Sequence, residues 1–322
     1  MGKKLRQTNV SGVSRFLPSF DEPSLSPTAG ATSTAGPLPT CKLDPFDSES
    51  QPASGLPKTG LLGPGNEAHD ATGLVPFYTH AAQVPAHLQK YFAQRTRYFS
   101  RYDEGCLLDE EGWYSITPEA IATQIAERCR CDVILDAFCG VGGNAIAFAR
   151  TCERVIALDT SPTRLALARH NAALHGLATR IEFVLADFRD FAARVMHATP
   201  VAGRTFERKI DVVFLSPPWG GPEYLADCEY SLSRIQPEPA AELFRLARLL
   251  TPNVAFYVPR NTVLEDIATL LTVPMPLGGA ENGDRRTVDA EQVEVEEEWM
   301  GTKLKALTCY FGGLAQGQEY LF

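Results

Sequence analysis

The sequence predicts an α/β fold built on a mainly parallel sheet with helices on both faces. Short β-rich runs alternate with helical runs between residues 133 and 258, and the strands are apolar along most of their length. Strands of this kind are typical of parallel sheets that are buried on both faces. A glycine-rich turn follows the first strand and an acidic residue ends each of the next two, which is the arrangement of a Rossmann-like sheet.

The elements follow one another in a regular order along residues 131–322, which we assign to one domain. The predicted strands are Val133–Phe138, Val155–Asp159, Ile181–Ala186, Asp211–Leu215 and Val254–Val258. The predicted helices are Asn144–Arg150, Pro162–His175, Phe191–His197, Pro239–Leu250 and one near Val263–Leu271. Two further extended runs, Val293–Trp299 and Leu304–Phe311, predict a closing hairpin, which brings the sheet to seven strands.

The first 130 residues divide into two parts. Residues 1–74 are rich in Ser, Pro, Thr and Gly and show little hydrophobic periodicity, so we expect a disordered tail. Residues 75–130 predict a small helical extension. Within it, Pro85–Tyr98 has the mixed aromatic and cationic composition of an amphipathic helix. The stretch Ser115–Glu119 predicts a helix start, with a capping residue ahead of a proline at the first helical position.

Composition and charge argue against several classes of protein and of binding site. A formal charge of −9 is unlike that of proteins that coat nucleic acid, so an RNA-binding site here would contact only a small part of its ligand. No apolar run reaches the length of a membrane span, and the basic start lacks the apolar stretch of a secretory signal. We therefore expect a soluble, intracellular protein that binds no membrane. The cysteines and histidines lack the paired short spacings of zinc sites, which predicts reduced thiols and no metal.

The turn after the first strand predicts a nucleotide site. Asp136 lies at the end of this strand, and Gly140, Gly142 and Gly143 follow before a helix begins. Glycines let the backbone approach a ligand at the carboxyl edge of a parallel sheet. Their spacing differs from Gly-x-Gly-x-x-Gly, which favours S-adenosylmethionine over a dinucleotide.

Acidic residues near the ends of the next two strands strengthen this prediction. Asp159 ends the second strand and is placed to accept hydrogen bonds from ribose hydroxyls. Asp187 and Phe188 follow the third strand and offer a carboxylate and a ring to an adenine. Together with the glycine turn they predict a bound adenosyl cofactor.

The fourth strand ends in Ser216-Pro217-Pro218-Trp219, where an acceptor would meet the methyl group. A nucleobase amino group is a poor nucleophile because its lone pair is delocalised. The Ser216 hydroxyl and the Pro217 carbonyl, held by two prolines, can accept its hydrogens and turn the lone pair toward the donor. Trp219 offers a flat face to a planar base. The alternative is a stiff loop whose Trp219 packs into the core. This tetrapeptide resembles the signature of amino methyltransferases.

Three stretches together resemble the trimethylguanosine synthases, the RNA cap guanine-N2 hypermethylases of small nuclear and nucleolar RNAs. They are Lys90–Arg95 with Phe99–Gly105 and Glu111–Glu119, then Asp136–Asn144, and Ser216–Tyr224. The similarity continues through Tyr257–Asn261 and Lys303–Gly312, and so covers nearly everything after about residue 80.

The resemblance implies a class I methyltransferase that uses S-adenosylmethionine, releases S-adenosylhomocysteine and needs no metal. It implies that Trp219 stacks on 7-methylguanine while Ser216 and Pro217 hold the amino group. The implied contacts to the capped RNA are Lys90, Tyr224, Arg260 and Asn261. The implied cofactor site comprises Phe99, Thr117, Asp136, Gly140, Gly142, Asp159, Asp187 and Phe188, with the helical extension closing over it.

The resemblance also implies partners and a location. The substrates would be 7-methylguanosine-capped small nuclear and nucleolar RNAs, with core proteins of their particles as further partners of a monomeric enzyme. The location would be the nucleus, in the nucleolus or a Cajal-body-like compartment, with a cytoplasmic pool as a further option. The basic cluster of Lys3, Lys4 and Arg6 fits either a nuclear import signal or a plain solvated terminus.

The sequence leaves two rival functions open. The rivals are an amino methyltransferase for guanine-N2 or adenine-N6 of ribosomal or transfer RNA, and a catalytically dead RNA-binding module. We find no basic RNA-binding module in the sequence, which argues against the first rival. The second would predict that the glycine turn has lost its cofactor-binding residues. Locally, the acidic run Glu294–Glu298 is expected to form a solvated face.

Overall fold

We describe the protein from a computed structural model, which covers residues 14–18, 60–197, 210–221, 224, 226–273 and 291–315. Within these ranges, eight strands form one sheet and helices cover both of its faces. The predicted seven-stranded α/β sheet is confirmed. The eighth strand, β1 (Ser14–Pro18), was not predicted and pairs with one edge of the sheet.

The extension before the main sheet contains short helices. They are α1 (Gln89–Phe92), α2 (Arg95–Tyr98), α3 (Glu110–Ser115) and α4 (Glu119–Arg128). The single helix predicted over Pro85–Tyr98 is divided because Gln94 leaves the helical conformation, with φ −113° and ψ 10°. α3 was not predicted; it is capped by the preceding Asp109, whose side chain accepts a hydrogen bond from the Gly112 amide at 2.8 Å.

The start of α4 differs from the prediction in detail. Pro118 is the residue before the helix rather than its first residue, and no side chain caps the helix there. The hydroxyl of Thr117 instead accepts a hydrogen bond from Asn144 Nδ2 at 3.0 Å. Thr117 therefore joins the extension to the glycine turn of the main sheet.

The main domain alternates strands and helices as predicted. The strands are β2 (Val133–Asp136), β3 (Arg154–Asp159), β4 (Ile181–Leu185), β5 (Val212–Leu215), β6 (Val254–Pro259), β7 (Gln292–Met300) and β8 (Lys303–Phe311). The helices are α5 (Gly143–Thr151), α6 (Pro162–Leu174), α7 (Phe188–Met196), α8 (Ala240–Leu250) and α9 (Leu264–Thr269).

The strand order of the described sheet is β1-β7-β8-β6-β5-β2-β3-β4. Strands β2 to β6 run parallel to one another, and β8, β7 and β1 are added antiparallel. Because β2 lies between β3 and β5, the order reverses at β2. A reversal of this kind opens a ligand crevice at the carboxyl ends of the strands.

Successive strand residues serve two separate cores, one on each face of the sheet. Ile134 of β2 and Phe214 of β5 pack with α4 and α5, whereas Leu135 and Leu215 pack with the side of α8. This alternation follows from the two-residue period of a strand. The parallel pairing of β2 with β3 and β5 brings the carboxyl ends of these strands to one edge of the sheet.

Part of the segment predicted as a disordered tail is placed in the structure. β1 pairs with β7, and residues 60–74 are described as well, although 19–59 lie outside the described ranges. The Ala71 amide donates a hydrogen bond to Nδ1 of His170 at 3.1 Å, and both residues are buried. A few specific contacts with the folded domain thus order a stretch whose composition alone predicts disorder.

The acidic run on β7 is buried, which contradicts the expected solvated face. Glu294, Glu296 and Glu298 are at most 3% exposed. The guanidinium of Arg128 on α4 lies 2.7 Å from a carboxylate oxygen of Glu294 and 3.3 Å from one of Glu296. Thr308 donates to Glu298 at 2.6 Å. Buried carboxylates are tolerated here because they have a cation and hydrogen-bond donors as partners.

Candidate active site

A cavity of about 750 Å³ lies at the carboxyl ends of the parallel strands. One wall comes from the extension, and the opposite wall comes from the turns after β2, β3, β4 and β5. The start of β8 completes the rim. The predicted site residues on its lining are Lys90, Thr117, Gly140, Asp159, Asp187, Phe188, Ser216, Pro217, Trp219, Tyr224 and Arg260.

The glycine turn after β2 adopts a conformation that requires glycine. Gly140 and Gly142 have φ values of 51° and 93°. A side chain on Gly142 would also lie 3.1 Å from the Cβ of Ala168, so α5 could not approach α6 as closely. Gly142 therefore shapes the turn from behind and does not itself line the cavity, unlike Gly140.

Asp159 joins the end of β3 to this turn. One of its carboxylate oxygens accepts from the Gly140 amide at 3.0 Å, and the other accepts from the Ser161 amide at 2.8 Å. Burial raises the pKa of Asp159 above its usual range. The carboxylate is thus held at the cavity wall by two backbone donors, with lone pairs left to accept from a ligand.

Asp187 and Phe188 lie beside the cavity where β4 gives way to α7. The Asp187 carboxylate caps α7 by accepting from the Arg189 amide at 2.8 Å. The ring of Phe188 is buried against that of Phe138, with centroids 6.0 Å apart. Phe188 therefore presents an apolar side to the cavity, and Asp187 presents a carboxylate next to it.

Asp136, at the end of β2, is fully buried, and neither carboxylate oxygen has a partner at good hydrogen-bond geometry, although the backbone amides of Phe138 and Ala145 are close enough to lower its pKa. Burial raises the pKa of Asp136 to about 7, with a smaller contribution from the negative charge of Asp159. A buried carboxylate without a partner is costly, and a cation beside it would remove that cost. Asp136 is not part of the lining surface but lies directly beneath the turn that forms it.

The loop after β5 carries the predicted catalytic residues. Ser216 donates its hydroxyl hydrogen to the Phe138 carbonyl at 3.3 Å, which leaves its lone pairs available as acceptors. Pro217 is buried and Ser216 is half-buried. The carbonyl of Trp219 accepts from the Tyr230 hydroxyl at 3.2 Å, which ties the end of the loop to a buried tyrosine.

The indole of Trp219 is half-buried and lines the cavity, so the alternative of a core tryptophan does not hold. Its ring lies 5.3 Å from that of Tyr257 at 34° and 5.2 Å from that of Tyr224 at 89°. The indole Nε1 is buried and has no hydrogen-bond partner. Trp219 is therefore a positioned aromatic wall.

Cationic and phenolic groups gather on the side of the cavity next to Trp219. Lys90, Tyr224 and Arg260 are on the lining, and the Tyr224 ring contacts that of Trp219. Lys303 and Lys305 of β8 line the same side, and Arg260 Nη1 donates to the Leu304 carbonyl at 3.4 Å. This arrangement is suited to an anionic ligand.

The structure does not bring two of the remaining predicted residues to the cavity surface. Phe99 is 2% exposed, lies in the core and packs its ring 5.9 Å from that of His175. Asn261 donates through Nδ2 to the carbonyls of Tyr224 and Asp227, at 3.2 and 3.0 Å. Asn261 thus holds the loop that carries Tyr224 and does not line the cavity.

Several lining residues were not predicted. They include Tyr91, Gln94, Tyr98, Glu111, Tyr114, Asn144, Arg164, Tyr257, Lys303 and Lys305. Arg164 of α6 is the clearest structural link among them, because its guanidinium contacts the carboxylates of both Asp109 and Glu111 in the extension. These ion pairs hold the two walls of the cavity together.

In the described ranges, His, Cys, Asp and Glu side chains form no group of three or more that could hold a metal ion. No described helix combines the length and the apolar character needed to cross a membrane.

The fold and the site define a class I methyltransferase. A family model described as RNA cap guanine-N2 methyltransferase matches residues 131–314, more than half of the chain. The chain belongs to this family, and it is therefore an RNA cap methyltransferase.

Two relatives agree with this assignment, and a third methyltransferase of another kind matches a shorter segment. The trimethylguanosine synthase of Schizosaccharomyces pombe is 37% identical over 208 residues, which are 63% of this chain and 83% of that protein. The Saccharomyces cerevisiae trimethylguanosine synthase is 33% identical over 188 residues, which are 56% of this chain and 57% of that protein. A 23S rRNA (uracil(1939)-C(5))-methyltransferase of Marinomonas posidonica matches over 90 residues, 28% of this chain.

Proposed function

We propose that the protein transfers two methyl groups from S-adenosylmethionine to the N2 amino group of a 7-methylguanosine cap, giving the 2,2,7-trimethylguanosine cap. The observation that carries this proposal is the position of Trp219. Its indole lines the same cavity as Ser216, Pro217 and Arg260, and it packs against the rings of Tyr224 and Tyr257. A flat ring, two acceptors and nearby cations match the base, the amino group and the phosphates of a cap.

The residues around the glycine turn fit S-adenosylmethionine. Its ammonium group would supply the cation that the buried carboxylate of Asp136 lacks. Asp159 would accept from the ribose hydroxyls, while Asp187 and Phe188 would contact the adenine. The bound cofactor supplies an activated methyl group and leaves as S-adenosylhomocysteine. Since the donor is already activated, the protein mainly has to position the reactants.

Recognition of the base depends on its charge. A 7-methylguanine carries a positive charge, and a cation is attracted to the face of an indole. The Ser216 hydroxyl and the Pro217 carbonyl would accept the two amino hydrogens, so that the nitrogen lone pair faces the methyl group. A second cycle needs one acceptor fewer, because the monomethylated amine has a single hydrogen.

The cap phosphates would be bound by Lys90, Tyr224 and Arg260. All three line the cavity, and the Tyr224 ring contacts that of Trp219. Burial raises the pKa of Tyr224, so its hydroxyl stays protonated and can donate to a phosphate oxygen. Asn261 supports this set by holding the Tyr224 loop.

The biological substrates follow from the motif resemblance. We propose that they are capped small nuclear and nucleolar RNAs, that core proteins of their particles act as partners, and that the enzyme works as a monomer in the nucleus. The basic cluster of Lys3, Lys4 and Arg6 is a candidate import signal and lies outside the described residues.

The test is methyl transfer from labelled S-adenosylmethionine to 7-methylguanosine diphosphate, with guanosine diphosphate as the matched acceptor. We expect label on the methylated nucleotide alone, with two methyl groups on N2 at completion. Transfer to unmethylated guanosine diphosphate at the same rate would contradict cap recognition. Transfer only to ribosomal or transfer RNA would favour the rival amino methyltransferase, and no transfer at all would favour a binding module.

A further inference from the structure

The start of β8 presents three consecutive residues to the cavity. A regular strand turns successive side chains to opposite faces, yet Lys303, Leu304 and Lys305 all line the cavity. This coincides with a shift of register between β7 and β8, where Glu298 pairs with Ala306 but Trp299 pairs with Leu304. Lys305 is the extra residue of this bulge. A β-bulge commonly re-aims a side chain next to a site.

These lysines belong to a group of cations without acidic partners. Within the described residues, Lys303, Lys305, Arg260 and Arg97 make no ion pair with a carboxylate, whereas most arginines nearby, such as Arg95 with Asp103, do. Burial lowers the pKa of Lys305, and the positive charges of Lys303, Arg97 and Arg260 lower it further. Like charges held together in a chain of net charge −9 indicate a place for an anion.

The group continues from the cavity to the outer surface. Lys305 is half-buried at the rim, and Arg97 is exposed on α2. Arg97 Nη1 donates to the side chain of Gln94 at 3.5 Å, and Gln94 itself lines the cavity. Arg97 does not line it. A ligand that reaches both Lys305 and Arg97 therefore extends out of the cavity.

We propose that Lys305 and Arg97 form a second anion subsite, which binds backbone phosphates of the RNA chain beyond the cap. The proposal rests on the proposed function, because the cap must occupy the inner cavity for its RNA to leave past Lys305. Lys90 and Arg260 then hold the cap phosphates, and the outer pair holds the chain that follows. The subsite makes a capped RNA a better substrate than the cap nucleotide alone.

The experiment compares binding and turnover for 7-methylguanosine diphosphate and a capped ten-nucleotide RNA at two salt concentrations. The variants are Arg97→Gln and Lys305→Gln. The matched control is Arg154→Gln, which makes the same charge change at an exposed position on the amino end of β3. Parallel strands place their amino ends at the opposite edge of the sheet from the cavity, so the control lies away from the proposed path.

We expect the wild-type protein to bind the capped RNA several-fold more tightly than the diphosphate. Arg97→Gln should remove most of this preference and reduce the salt slope for RNA by about 0.7, the value for one phosphate contact on a single strand. Lys305→Gln should do the same. Arg154→Gln should retain the wild-type preference and slope.

Equal affinity of the wild-type protein for both ligands, or equal effects of Arg97→Gln and Arg154→Gln, would overturn the subsite. Fluorescence anisotropy measures RNA binding without turnover, so this result is independent of catalysis. Failure of the proposed function would appear instead as absent methylation of 7-methylguanosine diphosphate by the wild-type protein. The two failures are therefore distinguishable.

Discussion

The ring of Trp219 lies 5.3 Å from the ring of Tyr257, centroid to centroid, with 34° between their planes. Tyr257 is buried on β6, whereas Trp219 is on the loop after the neighbouring strand β5. Tyr224 adds an edge contact at 5.2 Å. Aromatic packing from two directions fixes the plane of the indole before a base arrives. Preorganisation of this kind lowers the ordering cost of binding.

This arrangement predicts the behaviour of Trp219 variants. Trp219→Ala should lose methyl transfer to the cap while it retains binding of S-adenosylmethionine, because the indole lies on the acceptor side of the cavity. Trp219→Phe should keep part of the activity, since a smaller ring preserves part of the stack. Steady-state kinetics and calorimetry measure the two properties separately. Near wild-type turnover by the alanine variant would remove Trp219 from the acceptor site.

Asp159 provides a prediction for cofactor affinity. Asp159→Ala should weaken S-adenosylmethionine binding by about 1.5–3 kcal/mol, the range for hydrogen bonds to a charged group. Part of the loss comes from the turn itself, because the Asp159 carboxylate also accepts from the Gly140 amide. Asp159→Asn keeps one acceptor oxygen and should lose less. Calorimetry on folded variants decides this, and unchanged affinity would place the ribose elsewhere.

Asp136 predicts proton release on cofactor binding. Burial raises its pKa to about 7, so near neutral pH the carboxyl is about half protonated without a ligand. An ammonium group beside it favours the carboxylate and lowers that pKa, so binding should release up to about half a proton at pH 7 and progressively less at higher pH. Calorimetry in buffers of different ionisation enthalpy measures this release.

The control for Asp136 is a ligand without the amino-acid group. Methylthioadenosine should release no proton from Asp136, and Asp136→Asn should abolish the release seen with S-adenosylmethionine. Identical proton release by the asparagine variant would assign the titration to another group. The neighbouring Asp159, whose pKa is also raised, would then be the first candidate.

The turns after the parallel strands could be predicted from the sequence, whereas the contribution of β8 to the cavity could not. The carboxyl ends of parallel strands meet at one edge of a sheet, and ligands bind there. Asp159, Asp187 and Ser216 follow such strands and could therefore be predicted. Lys303 and Lys305 could not, because β8 pairs with β6 from more than forty residues away and a bulge turns Lys305 to the cavity. The segment Lys303–Gly312 was recognised as part of the family resemblance. The resemblance did not show how this strand pairs with β7 or which of its side chains face the cavity.

The misplaced residues have physical reasons of the same kind. Phe99 lies within the matched motifs, yet its ring completes the core under α4 and does not reach the cavity. The run Glu294–Glu298 has the composition of a solvated strand. It is buried because Arg128, 166 positions before Glu294, supplies the compensating charge. A partner this far away in the sequence leaves no local pattern from which the burial could be predicted.

Glu298 predicts a pH dependence of stability. Burial, followed by the charge of Glu296, raises its pKa to about 8 from an ordinary value of 4.5. The folded state therefore holds a proton that the unfolded state loses, and stability falls as pH rises from about 4.5 to 8. Glu298→Gln should leave stability at pH 4.5 nearly unchanged and raise the melting temperature at pH 8.5 by several degrees.

The control for Glu298 is Glu153→Gln, a change of the same charge at an exposed position. Thr308 can still donate to the amide oxygen of the glutamine at position 298, so the variant keeps that hydrogen bond. Thermal melts across the pH range measure the difference between the two variants. A gain that is equal at pH 5 and pH 8.5 would show that Glu298 does not titrate in this window.

The contact between Ala71 and His170 predicts that two truncations differ. Deletion of residues 1–59 leaves this contact in place, whereas deletion of residues 1–74 leaves the buried Nδ1 of His170 without its donor. An unsatisfied buried polar group costs roughly 1–3 kcal/mol. The longer deletion should therefore melt about 2–10 °C below the shorter one.

Both truncated proteins should methylate 7-methylguanosine diphosphate at a temperature where they are folded, because the cavity lining begins at Lys90. Equal melting temperatures would show that residues 60–74 contribute nothing to the fold, and loss of activity by the folded shorter deletion would show that residues before 60 help to build the site.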